Sequence, residues 1–142
     1  MGVLDEPGME PVQNRIEKLP FMDWRQLPAV IAGLDINLMP LENSLFHWCK
    51  SENKWTEAAL VKVPSVMSRN CEMEYVVENG KDGWMCTTKE EWVNALEALV
   101  TDEKARKAMG EAAHQKVMEH YLTVNTGKDA MEELLCSESY TK

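Results

Sequence analysis

The sequence predicts an α/β fold in which a parallel sheet is joined by crossover helices, and three observations carry that expectation. Short apolar runs, DINLM at 35–39 and VPSVMS at 63–68, alternate with stretches whose apolar residues recur three and four apart. Turn residues separate them, at Gly33, Asn79-Gly80 and Asp82-Gly83. A chain of 142 residues, 44% hydrophobic, can bury one core and is too short for two ordinary domains.

Taken in order, Arg15 to Pro20 reads as a strand. Asp23 then caps a helix from Trp24 to Ala32, where Leu27, Val30 and Ile31 share a face and Gly33 ends the run. Asp35 to Met39 is the next strand. The segment from Pro40 to Ser51 is too long for a mere connector and carries Phe46, His47 and Trp48, so it reads as a functional loop or a half-buried lid. A helix follows from about Glu52 to Lys62, with Trp55, Ala58 and Ala59 towards the core. Pro64 to Ser68 is a strand, Glu72 to Val77 a short helix and Gly83 to Thr87 the last strand. Thr88 with Glu91 makes a capping box that opens a helix running to Val100. Thr101 or Asp102 caps another, whose Ala105, Met109, Ala113, Val117 and Tyr121 line one face. Met131, Leu134 and Leu135 mark an amphipathic tail.

Composition narrows the function. With 15 basic and 24 acidic residues the formal net charge is −9, and the cations are scattered, which argues against nucleic acid as a partner. Cys49, Cys71, Cys86 and Cys136 form no CxxC pair, and the histidines do not stand at ligand spacing with them, so no metal site is expected. Isolated cysteines of this kind read as small buried hydrophobes in a reducing compartment. No apolar run approaches the ~18 residues that a membrane span needs, and the acidic opening MGVLDEPG is unlike a signal peptide. The chain reads as soluble and cytoplasmic.

One stretch concentrates charge beside a buried strand: KSENKWTEAALVKVPSVMS, Lys50 to Ser68. On a helix running back from Ala58, Lys50, Lys54 and Glu57 lie at i, i+4 and i+7 and form one stripe. In open parallel sheets ligands bind beyond the carboxyl ends of the strands, where this helix begins. Backbone amides at its start suit a phosphate, and the two lysines add positive charge. Glu57 is suited to accept two hydroxyl protons from a ribose or sugar, each bond worth roughly 1.5–3 kcal/mol. The plainer alternative is an exposed i, i+3 pair of Lys54 and Glu57, worth about 0.2–0.5 kcal/mol.

Three segments, PFMDWRQLPAVIAGLDINLMPLE, KSENKWTEAALVKVPSVMS and ENGKDGWMCTTKEEWVNALEALVTDEKARKAMGEAA, together resemble the carboxyl-terminal half of the group 1 retaining glycosyltransferases. The likeness runs from Leu19 to Val124, roughly three quarters of the chain. It implies a Rossmann-like parallel sheet, the donor half of the two-domain GT-B fold, with residues 1–123 as a partial donor-binding domain and 124–142 as a helical tail. It also implies a nucleotide-diphosphate sugar as donor substrate with no cofactor and no metal, and a sugar or lipid-linked, membrane-associated acceptor. Glu57 looks like the family glutamate that holds the donor ribose, and the amides around Ser51, Glu52 and Asn53 would face the diphosphate, with Lys50 and Lys54 beside it. Where many members carry a second glutamate, near the donor sugar, this chain has Cys49; Glu52 or Glu42 could substitute. The opening MGVLDEP resembles a point midway through the family's domain, so its first strand and the acceptor-binding domain have no counterpart. The resemblance then leaves a gap beside Asp35 to Met39, to be filled by the Arg15 to Pro20 strand or by a neighbouring molecule.

Two rival readings follow from the same residues. LDINLMP and VPSVMS are also similar to receiver domains of two-component signalling, with Asp35 as phosphoacceptor, Ser68 as switch hydroxyl and Lys89 as partner cation. That pattern lacks its acidic pair and has one residue too many between Asp35 and Pro40. A third reading is a non-catalytic module that binds nucleotide or protein.

Overall fold

The computed structural model describes residues 14–42, 44–122, 124, 126 and 127. Asp23 accepts the Arg25 amide at 2.9 Å and opens a 3-10 turn, Trp24–Gln26, that runs into α1 (Leu27–Ala32). Pro28 sits in the first turn, where its missing N–H leaves no bond unmade. Then follow β1 (Asn37–Met39), α2 (Leu45–Trp48), α3 (Asn53–Leu60), β2 (Ser65–Ser68), α4 (Cys71–Val76), β3 (Trp84–Cys86), α5 (Lys89–Thr101) and α6 (Glu103–His120). The strands form a three-stranded parallel sheet in the order β1-β2-β3, with Met39 opposite Met67 and Met67 opposite Met85. The expected parallel sheet with crossover helices is therefore present.

Several expectations need correction. Arg15 to Pro20 is not a strand: residues 16–20 are irregular, and only Ile16 is even half-buried. Extended backbone is stable where a neighbour's ladder takes up its N–H and C=O groups, and no described strand lies beside this segment. The far edge of β1 consequently has no partner among the described residues. Gly33 ends α1 with φ −82°, in the right-handed region, so the stop does not use glycine's left-handed freedom. The Pro40 to Ser51 loop contains the single turn α2, started by Ser44, whose hydroxyl accepts the His47 amide. Asp102, rather than Thr101, caps α6, accepting the amides of Lys104 and Ala105 at 2.9 and 3.0 Å. Ala105 is exposed, and the buried face of α6 is Met109, Gly110, Ala113 and Val117. Cys86 is buried as expected, whereas Cys49 and Cys71 are exposed. The opening MGVLDEP, the tail positions Met131, Leu134 and Leu135, and Cys136 lie outside the described residues.

The core has two faces because strand side chains alternate. Met39, Met67 and Met85 point to one side and pack with Trp55 and Ala59 of α3 and Ala113 and Val117 of α6. Val66 and Cys86 point to the other, under Ala95 and Leu99 of α5 and Met109 of α6. Leu38, level with Val66, is half exposed, since α5 contacts β2 and β3 and leaves the β1 end of that face open.

α3 stops in a Schellman arrangement: the Val63 amide bonds the Ala58 carbonyl at 2.9 Å and the Lys62 amide bonds Ala59 at 3.0 Å. Lys62 takes the left-handed position, φ 64°, that glycine usually fills. The stop falls where Pro64 forbids Val63 a helical backbone.

The capping box at Thr88 and Glu91 is present. Hydrogen bonds from the Thr87 amide, then the Thr88 amide, hold the Glu91 carboxylate below its usual pKa of 4.5. A carboxylate lowered in the folded state stabilises above its unfolded value, and that contribution is lost as pH falls through the folded value. The melting temperature should therefore fall more steeply below about pH 4.5 in the parent than in Glu91→Gln. Parallel pH profiles of the two proteins would contradict this assignment.

Candidate functional site

β1 and β2 are parallel, so the chain must return across the sheet between them, and α3 makes that return. Its amino end therefore lies at the carboxyl edge of the sheet. Glu52 occupies the cap position there without a side-chain cap bond, so the first amides of α3 meet no side-chain acceptor among the described residues. Ser51 and Asn53 are exposed and Glu52 is half-buried. Glu52 is one of the charges, after burial, that raise the Tyr121 phenol above 10.0.

The stripe expected of Lys50, Lys54 and Glu57 is only partly formed. α3 begins at Asn53, so Lys50 belongs to the preceding loop, where its ammonium lies 4.5 Å from the centre of the exposed Phe46 ring. Lys54 and Glu57 are both on α3 and exposed, yet they make no ion pair with each other, and Glu57 has no polar partner among the described residues. The i, i+3 pair is thus absent, and the carboxylate is free to meet a ligand. Trp55, on the opposite side of α3, is fully buried and donates its indole N–H to the Asp82 carbonyl at 2.9 Å.

A cavity of about 340 Å³ opens at the carboxyl ends of β2 and β3. Glu42 and His47 reach it from the loop after β1, Arg69, Cys71 and Glu74 from the segment after β2, and Thr87 from the end of β3. Lys50 to Glu57 do not line it. Of the two glutamates that could substitute for the one the resemblance expects where Cys49 stands, Glu42 lines the cavity and Glu52 does not. The loop residues Glu42 and His47 stood out in the sequence; Arg69, Cys71, Glu74 and Thr87 did not. The one signal for them was their place at or just after the carboxyl end of a predicted strand, where parallel sheets bind ligands. Burial, then the charge of Glu91, raises the Cys86 thiol above 9.0, so it stays protonated and inert at neutral pH.

The receiver arrangement is not formed. Asp35 precedes β1, at the amino edge, and pairs with Arg106 at 3.2 Å, while Ser68 ends β2 at the carboxyl edge and exchanges hydrogen bonds with the Leu41 backbone. A phosphoacceptor and its switch hydroxyl cannot work from opposite ends of a sheet.

Comparison with known proteins decides the family. The profile of the glycosyl transferases group 1 matches residues 4–102. The chain belongs to that family. Among solved structures it is similar to the C-terminal domain of the group 1 glycosyl transferase LpcC from Francisella tularensis, at 18% identity and a TM-score of 0.55, covering 72% of this chain and 52% of that one. It is also similar to Alr3699/HepE of Anabaena, solved in complex with UDP and glucose, at 18% identity and a TM-score of 0.72, covering 89% of this chain and 33% of that one. The chain therefore spans about half of that C-terminal domain and a third of HepE, and at this identity the likeness is one of fold. A search of curated sequences finds no relative. No described helix of this chain is long and apolar enough to cross a membrane, and no described cluster of acidic, histidine or cysteine side chains could hold a metal ion.

Proposed function

We propose that this chain is the donor-binding half of a cytoplasmic, retaining glycosyl transferase. It would hold a nucleotide-diphosphate sugar at the amino end of α3 and, with an acceptor-binding domain, pass the sugar to a sugar or lipid-linked acceptor in polysaccharide or glycan synthesis. The observation that carries the reading is the unpaired Glu57 carboxylate on a helix whose uncapped first amides face the carboxyl edge of the sheet. Those amides and the lysines Lys50 and Lys54 match a diphosphate in sign, and amides fixed before reaction stabilise the charge that develops as the glycosidic bond opens. Glu57 positions the ribose hydroxyls rather than taking part in bond breaking. The complex of HepE with UDP and glucose supports the same ligand class.

The test is titration of the chain with UDP, GDP, UDP-glucose and GDP-mannose, followed by amide NMR and calorimetry. Binding should perturb residues 50–57, with one base preferred. Glu57→Gln should weaken it by about tenfold or more, because hydrogen bonds to a charged acceptor contribute roughly 1.5–3 kcal/mol each. Its melting temperature should be unchanged, Glu57 being exposed and unpaired. Equal affinity in parent and variant would remove Glu57 from the site.

A further inference from the structure

The amino end of α3 carries the groups assigned to the donor, and the contacts that hold it come from distant parts of the chain. α6 runs antiparallel along α3. Gly110 lies against the Lys62 carbonyl just past the end of α3, His114 Nδ1 meets the Ala59 carbonyl at 3.1 Å, and Tyr121 reaches Trp55 in the first turn.

Trp55 is fully buried and held on two sides. Its indole N–H donates to the Asp82 carbonyl at 2.9 Å. Its ring meets the Tyr121 ring edge-on, with the centres 6.0 Å apart and the planes at 66°. Asp82 is in turn bound to α6, since its carboxylate accepts the Lys116 ammonium at 2.6 Å. Both contacts of the indole therefore lead to α6. The sheet adds a third tie, because Asn37 donates to the Lys54 carbonyl at 3.3 Å and to the Ser65 hydroxyl at 3.0 Å.

A short helix held at both ends can neither slide nor turn without breaking a contact. α6 meets α3 at Lys62, where glycine lets backbone approach side by side, and again in the first turn through Trp55. Rotation matters most, because Glu57 stands about 200° round the helix from Trp55, and any turn of the buried ring moves the carboxylate through the same angle. We infer that Trp55 is a positioning residue for the donor: fixed by Asp82 and Tyr121, it sets where the first amides of α3, Lys54 and Glu57 stand. The inference rests on the donor reading above. Trp55 is fully buried, so it acts through the turn that it anchors rather than on the ligand. Affinity falls in proportion to the fraction of molecules in which the binding arrangement is formed.

The test compares nucleotide affinity with stability in three variants of the full chain. Trp55→Phe keeps an aromatic ring and removes the N–H donor. Tyr121→Leu removes the ring edge and leaves the indole bond. Leu99→Val loosens the other face of the core, away from α3. UDP and GDP are titrated calorimetrically at a temperature where thermal melting shows each variant to be folded, and hydrogen exchange is followed at the Thr56 and Glu57 amides. Trp55→Phe and Tyr121→Leu should each weaken the preferred nucleotide about fivefold. They should also speed exchange at Thr56 and Glu57 by about tenfold more than at the amides of α5. Leu99→Val should lower the melting temperature and leave the affinity in place. Should Trp55→Phe not fold, Tyr121→Leu, at a half-buried position, carries the comparison. Parental affinity in both ring variants overturns the inference and keeps the donor site. A loss of affinity in Leu99→Val that matches theirs also overturns it, because lowered stability then accounts for all three. Absence of binding by the parent removes the donor site itself, and this inference with it.

Discussion

Replacing Gly110 by alanine should destabilise the fold by about 2–4 kcal/mol, at the upper end of the roughly 1–3 kcal/mol that overpacking usually costs or above it. A Cβ at this position would stand 2.1 Å from the Lys62 carbonyl oxygen and 2.8 Å from its carbon. Both are backbone atoms, and they are held by the Schellman stop of α3, so neither can swing aside as a side chain would. Alanine's advantage in a helix interior, about 1 kcal/mol over glycine, acts in the opposite direction and is smaller. The fold therefore requires glycine here because α6 touches the end of α3. Denaturant unfolding would decide it: a variant as stable as the parent would mean that the two helices can separate without loss.

The second large effect is expected at Lys116. Its ammonium lies 2.6 Å from the Asp82 carboxylate, which is 3% exposed and also accepts the Glu78 amide at 2.8 Å. Lys116→Met keeps most of the stem and removes the charge, stranding a buried carboxylate at a cost of about 3–5 kcal/mol. At about 2–4 °C per kcal/mol for a domain of this size, the melting temperature should fall by roughly 10 °C. The double variant Asp82→Asn/Lys116→Met should recover most of that loss, because no buried charge is then left without its partner. If Lys116→Met alone costs under about 1 kcal/mol, the pair behaves like a surface ion pair. The consequence reaches the candidate site, since the Asp82 carbonyl holds the Trp55 indole two residues before Glu57.

Several features were legible in the residues because they depend on neighbours in sequence. Thr88 and Glu91 are three apart, so their capping box forms whatever the rest of the chain does. Asp23 likewise reaches Arg25 locally. Trp55, Ala58 and Ala59 fall on one helical face, and burial of that face follows from periodicity. Ends and edges were less legible. RIEKLP reads as a strand beside the next apolar run, but a strand is completed by a ladder partner that sequence cannot supply. The stripe through Lys50 failed because α3 starts at Asn53, three residues after Lys50.

By itself, then, the sequence determined the parallel α/β class, the order of the elements from β1 to α6 apart from the single turn α2, and the helix that carries Glu57, since these rest on local periodicity and capping. Only the tertiary structure decided that Glu57 stays unpaired, that Gly110 must accept the end of α3, that Asp82 and Lys116 meet across 34 positions, and that Glu42, His47, Arg69 and Glu74 share one cavity. Each of these depends on which atoms approach one another when separate elements pack, and sequence spacing carries no record of such distances.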